Sequence, residues 1–386
     1  MEFWYLYVLI CTSALIFAIF IPDKYRIFII WGLLLYLWVI GSFRYMIGTD
    51  YYSYVKLYSR YSDIGIMDVL DQFNEPLFTF ICMVLNDMGF DFQMLFVVFN
   101  SLILIMYYKG VRYFFKYNYS ILFAIVVFAL FASFGGYFQS WNGIRQYAAM
   151  GVLFFSSRYI LERKFIKFLL CMFISVGLHY SAIIFLPFYW LFRFNIKKKI
   201  VVLLLSVELI LSLTGIFNTL FMQILTLTGS VVTRYGNYLG MSVGSSGITI
   251  TQLFIFELIS FVVILCGMYS NDDKKSKVII NFSIIYIACK ILFLYSFGNI
   301  IDLVTKRICV YFMWFFFMYI TLYIENFIKY KKNISKAFII ALVIVSAFDF
   351  AYIRGIDHLS NDTESQISLV PSVGNINYEF NFKLIK

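Results

Sequence analysis

The chain is divided into a succession of apolar runs separated by short polar connectors, and that pattern leaves few folds open. The runs fall at 3–21, 25–43, 92–108, 120–138, 143–160, 165–179, 181–193, 200–218, 251–270, 278–296, 307–328 and 337–353. A helix rises about 1.5 Å per residue and the hydrocarbon core of a bilayer is about 30 Å thick, so roughly 20 apolar residues cross it. Inside a bilayer only helices and closed barrels satisfy their own backbone hydrogen bonds, and unbroken apolar runs select the helix over the alternating barrel strand. The expected fold is therefore all-α, a polytopic membrane helical bundle of about twelve spans. Composition agrees. Of 386 residues, 62% are apolar and 13% charged, whereas soluble chains carry about 25% charged residues. This excludes a water-soluble enzyme, a disordered chain and, despite a net charge of +10, a nucleic-acid-binding domain. We expect one membrane domain over residues 1–353 and a polar tail over 354–386.

The first run carries Glu2 where a signal peptide carries a base, and no small-residue cleavage site follows, so it reads as an uncleaved span. A further apolar stretch, Leu77 to Leu85, starts behind Pro76 and ends at Asn86 and Asp87. Even extended from Pro76 to Met88 it makes a helix of roughly 20 Å, too short to cross, and it reads as a half helix. Twenty of the 31 Lys and Arg then fall on one side of the membrane and ten on the other. The richer side is the cytoplasm, which puts both termini and the loops 44–75 and 219–250 outside. The opposite sidedness for residues 44–75 gives nearly the same base count, so the short segment decides between the two. The six cysteines lie in apolar segments without metal-ligand spacing and read as buried thiols. Two histidines are too few for a His-built metal centre.

With the cytoplasmic bases set aside, the outer face holds a sparse set of polar residues at the ends of spans. Arg44, Gly48, Asp50, Tyr51 and Tyr54 lie in the run FRYMIGTDYYSYVKLY. Gly48 permits a tight turn, so that Arg44 and Asp50 can share one polar pocket; an interfacial Arg–Asp pair beside an aromatic belt is the plainer alternative. Asn74, Glu75 and Pro76 open the half helix, whose free N–H groups suit an anion, although a plain capped interfacial helix has the same signature. In SWNGIRQYAAM, Asn142 is expected to cap a helix whose first turn holds Arg145 and Gln146. The helix dipole disfavours a cation there, so a bound anion or a neighbouring carboxylate must hold Arg145. His179 lies in GLHYSAII, between two spans of about 15 residues that would leave their junction below the membrane surface. A lone histidine there is either a satisfied core residue or, on the face that carries Arg145, a functional one. Arg234 falls in the glycine-bearing loop 219–250, which reads as a mobile lid or simply as a flexible connector, and Arg307 follows Lys306 before CVYF.

Four outward arginines, an acid and a histidine without a metal motif suit a diphosphate carried by a membrane lipid. Guanidinium forks grip phosphate oxygens in pairs and stabilise leaving-group charge without a cation. A carboxylate or an imidazole would deprotonate an attacking hydroxyl. The residues alone reach that class and stop there.

The ordered set R-x3-G-x-D-Y-x2-Y (Arg44 to Tyr54), N-E-P (Asn74 to Pro76), N-G-I-R-Q (Asn142 to Gln146), L-H-Y-S (Leu178 to Ser181) and K-R-I-x-V-Y-F (Lys306 to Phe312) resembles the EpsG-like family of Wzy-type polysaccharide polymerases. The resemblance implies a glycosyltransferase of the GT-C-like class at the outer face of a bacterial inner membrane. It implies that a growing O-antigen, capsule or exopolysaccharide chain on undecaprenyl diphosphate is passed to a new lipid-linked repeat unit. On this sequence, Arg145 and Gln146 would bind the donor diphosphate with Arg44, Arg234 and Arg307 in support. Tyr51, Glu75 and Asn142 would line the substrate site, and Asp50 or His179 would serve as the base. No metal or other cofactor is expected, and a chain-length regulator is a conceivable partner. An O-antigen ligase shares the donor and is the nearest alternative; a flippase or other transporter would need internal symmetry and a polar path through the midplane.

Overall fold

In a computed structural model of the chain, residues 2–44, 50–61, 75–131, 136–191, 198–214, 216, 223, 273–292 and 300–331 are described. The described residues are helical and contain no strand. Their contacts divide the chain into two compact units, Met1–Tyr189 with Ile324–Lys386, and Trp190–Tyr323.

In the first unit the helices are α1 (Glu2–Phe20), α2 (Arg26–Ser42), α3 (Tyr51–Tyr61), α4 (Pro76–Asp87), α5 (Gln93–Phe114), α6 (Asn118–Leu130), α7 (Gln139–Asn142), α8 (Ile144–Leu161) and α9 (Phe165–Leu178). A 3-10 segment, Tyr180–Phe185, and a four-residue helix, α10 (Phe188–Leu191), follow. The apolar run at 181–193 is thus not one helix. Pro187 lacks an N–H and crowds the residue before it, so the 3-10 turn ends there and a new turn must start. Helix α2 packs on α1, α5 and α6; α5 lies along α8, and α8 along α9. Every residue of α6 from Ser120 to Leu130 is buried, as befits a helix apolar on all sides. On α1, α2 and α9, by contrast, large apolar side chains such as Phe17, Phe28, Trp31, Leu35, Ile166 and Phe173 are exposed. So much apolar surface suits lipid rather than water.

Side chains tie the two ends of these helices. At one end the Asp23 carboxylate pairs with Arg26 (3.0 Å) and accepts hydrogen bonds from the N–H groups of Asn118 and Tyr119 (3.2 Å each), neutralising the positive end of α6. At the other end Asn100 donates to the Trp38 carbonyl (3.0 Å) and Gln93 to that of Arg44 (3.2 Å), so the chain leaving α2 is held by α5.

The second unit contributes α11 (Lys198–Leu213), α12 (Lys274–Leu292) and α13 (Ile300–Lys331) as far as Tyr323, with α11 packed on α12. Phe282 of α12 stacks on Phe315 of α13 with ring centres 4.0 Å apart. Among the described residues, three helices are long and apolar enough to cross a membrane: Asp23–Ser42, Gln93–Phe114 and Arg307–Glu325. Shorter apolar helices include Leu6–Ala18, Asn118–Leu130 and Phe165–Leu178. The runs at 251–270 and 337–353, the loop 219–250 but for residue 223, and the tail 354–386 lie outside the described residues.

Candidate functional site

Four turns of chain converge at the end of the first unit where α2 stops. They are the exit of α2, the amphipathic helix α3, the start of α4 and the break between α7 and α8, with the end of α9 against them. Helix α3 buries Tyr51, Tyr54, Tyr58 and Tyr61, spaced three and four apart on one face, and exposes its polar side. Tyr58 donates to the Phe90 carbonyl (2.7 Å) and Tyr54 to the carbonyl of Asn142 (2.9 Å), fixing α3 across the mouth of the bundle.

Glu75 stands at the centre. It precedes Pro76, the first residue of α4, and its backbone is left-handed (φ 63°, ψ 60°). That conformation costs a non-glycine residue about 1–2 kcal/mol and persists where surrounding contacts enforce it. The contacts are an ion pair and a hydrogen bond: one carboxylate oxygen meets Arg145 Nη1 and the other meets His179 Nδ1. The Glu75 side chain is 10% exposed. Burial pushes its carboxyl pKa up, but the hydrogen bond from His179 and the Arg145 charge outweigh this and hold it below the ordinary value. His179 reaches this position because α9 ends beside it in extended backbone (φ −154°, ψ 117°), and because Gly177 lets α9 approach Leu77 of α4.

Arg145 also lies over the rings of Phe78 (5.2 Å) and Tyr54 (5.7 Å). Of the two partners the sequence leaves open for it, the structure supplies the carboxylate. Asn142 does not cap α8. It closes the short helix α7, and Gly143 takes the N-cap position without any side-chain bond, because the chain bends at the glycine between the two helices. Gln146 is buried in the same first turn.

Arg44 forms a second cationic point. It is 1% exposed, with its guanidinium over Phe96 (4.3 Å) and Trp141 (5.4 Å). Its Nε and Nη2 have no hydrogen-bond partner among the described residues, and burial pushes its pKa down to about 10. Tyr51 stacks on the same Phe96 ring (5.2 Å). Asp50 is exposed at the start of α3, and its charge acts on Arg44 and Tyr54.

The structure therefore joins Glu75, Arg145 and His179 directly, links Asn142 to them through Tyr54, and sets Arg44 and Tyr51 on a shared ring. Arg307 lies half-buried on α13 in the second unit. Arg234, Gly48 and Asn74 lie outside the described residues. Trp141 lies in the motif SWNGIRQYAAM, whereas Phe78 and Phe96, which complete the aromatic setting around the two arginines, are not singled out by the sequence reading. Their signal is faint, since aromatic residues make up 22% of the chain.

A helical protein with lipid-suited flanks and a part-buried Arg–Glu–His cluster at one end of its helices is a membrane protein with a polar site. A model of the EpsG family matches residues 25–363, and the chain belongs to that family. The match supports a polysaccharide-polymerase-like membrane protein. No match was found among curated proteins or solved structures.

Proposed function

We propose that this protein is a polysaccharide polymerase, a glycosyltransferase of the GT-C-like class with about twelve spans and one half helix, acting at the outer face of a bacterial inner membrane. It moves a growing O-antigen, capsule or exopolysaccharide chain from undecaprenyl diphosphate onto a new lipid-linked repeat unit. The observation that carries the reading is the pairing of Arg145 with an ionised carboxylate that also holds a histidine, with Arg44 as a second buried cation, within a chain of this family. Arg145 and Arg44 supply fixed positive charge where diphosphate charge builds up as the glycosyl bond breaks. Asp50 or His179 takes the proton of the attacking hydroxyl. Arg234 and Arg307 complete the phosphate set, and no metal takes part.

The test is purified protein in proteoliposomes with lipid-linked repeat units. A ladder of lipid-linked products, lost in Arg145→Ala and unaffected by EDTA, is expected. Products only when a second acceptor is added would mean a ligase, and movement of the lipid across the bilayer without a new bond would mean a flippase. Loss of the ladder in EDTA, with recovery on adding a divalent ion, would refute metal independence.

A further inference from the structure

We infer that Glu75 is the positioning residue of this site: it binds His179 through one oxygen and Arg145 through the other, rather than binding substrate, and so makes His179 the base. The inference rests on the transferase reading for the identity of the reaction. Both carboxylate oxygens are engaged by the protein itself, the side chain is nearly covered, and the left-handed backbone at residue 75 places the carboxylate between α8 and α9. Each oxygen keeps a lone pair, but with the side chain nearly covered a sugar hydroxyl has little room to reach it.

The chemistry follows from which ring nitrogen is held. A carboxylate only accepts hydrogen bonds, so His179 Nδ1 must carry the proton. In the neutral ring Nε2 is then the basic nitrogen. The acceptor hydroxyl gives its proton to Nε2, and its oxygen forms the new bond to the anomeric carbon. The bond from that carbon to the diphosphate oxygen breaks, and the electron pair leaves with the undecaprenyl diphosphate. The imidazolium is stabilised by Glu75 until its proton passes to water. Asp50, exposed just before α3, is then left to act on Arg44.

The chain has two histidines, so His358→Asn in otherwise intact protein leaves a single ring to observe. Nitrogen-15 spectra of that protein in bilayers, at a pH where the ring is neutral, should show the Nδ1-protonated tautomer. Glu75→Gln should lower kcat on the order of 100-fold or more with the donor KM unchanged, and Glu75→Asp should recover part of the loss. An Nε2-protonated ring in the parent protein would overturn the inference, and so would a Glu75→Gln variant whose defect is a raised donor KM. A protein that shows the expected tautomer but makes no polymer from lipid-linked repeats would refute the polymerase reading and leave the Glu75–His179 geometry standing.

Discussion

Gly177 lies two residues before His179, and Leu77 two residues after Glu75, so the approach of α9 to α4 sets the spacing of the Glu75–His179 hydrogen bond. A Cβ at residue 177 would come to 2.9 Å from the Leu77 Cβ, whereas carbon atoms in contact prefer about 3.5–4.0 Å. Gly177→Ala therefore pushes the two helices apart by about 0.6–1.1 Å. Overpacking on this scale costs about 1–3 kcal/mol, while alanine returns at most about 1 kcal/mol of helix propensity. The net loss of stability is small, about 0–2 kcal/mol. Activity should suffer more, because misplacing a reacting group by about 1 Å can cost on the order of 100-fold in rate. The assay is the initial rate of ladder formation beside thermal unfolding in detergent. Gly32→Ala serves as the control, since nothing lies within 4 Å of a Cβ there. It should keep its rate and gain slightly in stability. If Gly177→Ala polymerises as fast as Gly32→Ala, the packing of α9 on α4 does not set the site.

Arg44→Met removes a buried guanidinium whose Nε and Nη2 lack partners; the protein should unfold no earlier than its parent, since replacing such charges by apolar groups is often neutral or stabilising, yet lose most of its polymer yield. Glu75 has a lowered folded-state pKa, so its contribution is present above the unfolded value and lost as pH falls through the folded one. Acid titration of the parent should therefore show a stability loss below about pH 4.5 that Glu75→Gln lacks, with unfolding temperature as the readout. Ser53→Cys, on the exposed side of α3, should react with an impermeant maleimide added outside intact cells; labelling only after the cytoplasmic side is opened would move Glu75 and Arg44 to the opposite face from the one proposed.

Much of the helical layout is legible in residue patterns. The runs at 25–43, 143–160 and 165–179 foretell α2, α8 and α9 to within a residue or so, because long apolar runs admit no competing element. Helix α4 is found where Pro76 and the closing Asn86 and Asp87 mark it. The apolar run at 92–108 underestimates α5, which continues through Lys109 and Arg112 to Phe114. Long basic side chains can reach water from a helix end, so charge ends a run without ending the helix. Two features escape a linear reading. Asn142 has the right residue type for an N-cap, but the glycine after it takes the position. Glu75, Arg145 and His179 are separated by 70 and then 34 residues, and nothing local says that one carboxylate holds the other two side chains. Only the packing of α4 between α3 and α9 brings them together.

The left-handed backbone at Glu75 bears on how this protein could be improved. Glycine relaxes at that position and asparagine nearly does, so random mutagenesis scored by heat resistance in acid, where the protonated carboxyl no longer holds its charged partner, should enrich Glu75→Gly. Such a winner would gain only where the ion pair is already lost, and would leave Arg145 and His179 without their shared anchor at neutral pH. Selection for robustness in acid and selection for polymer would pull this one codon in opposite directions, and any stabilisation campaign on the protein should hold it fixed.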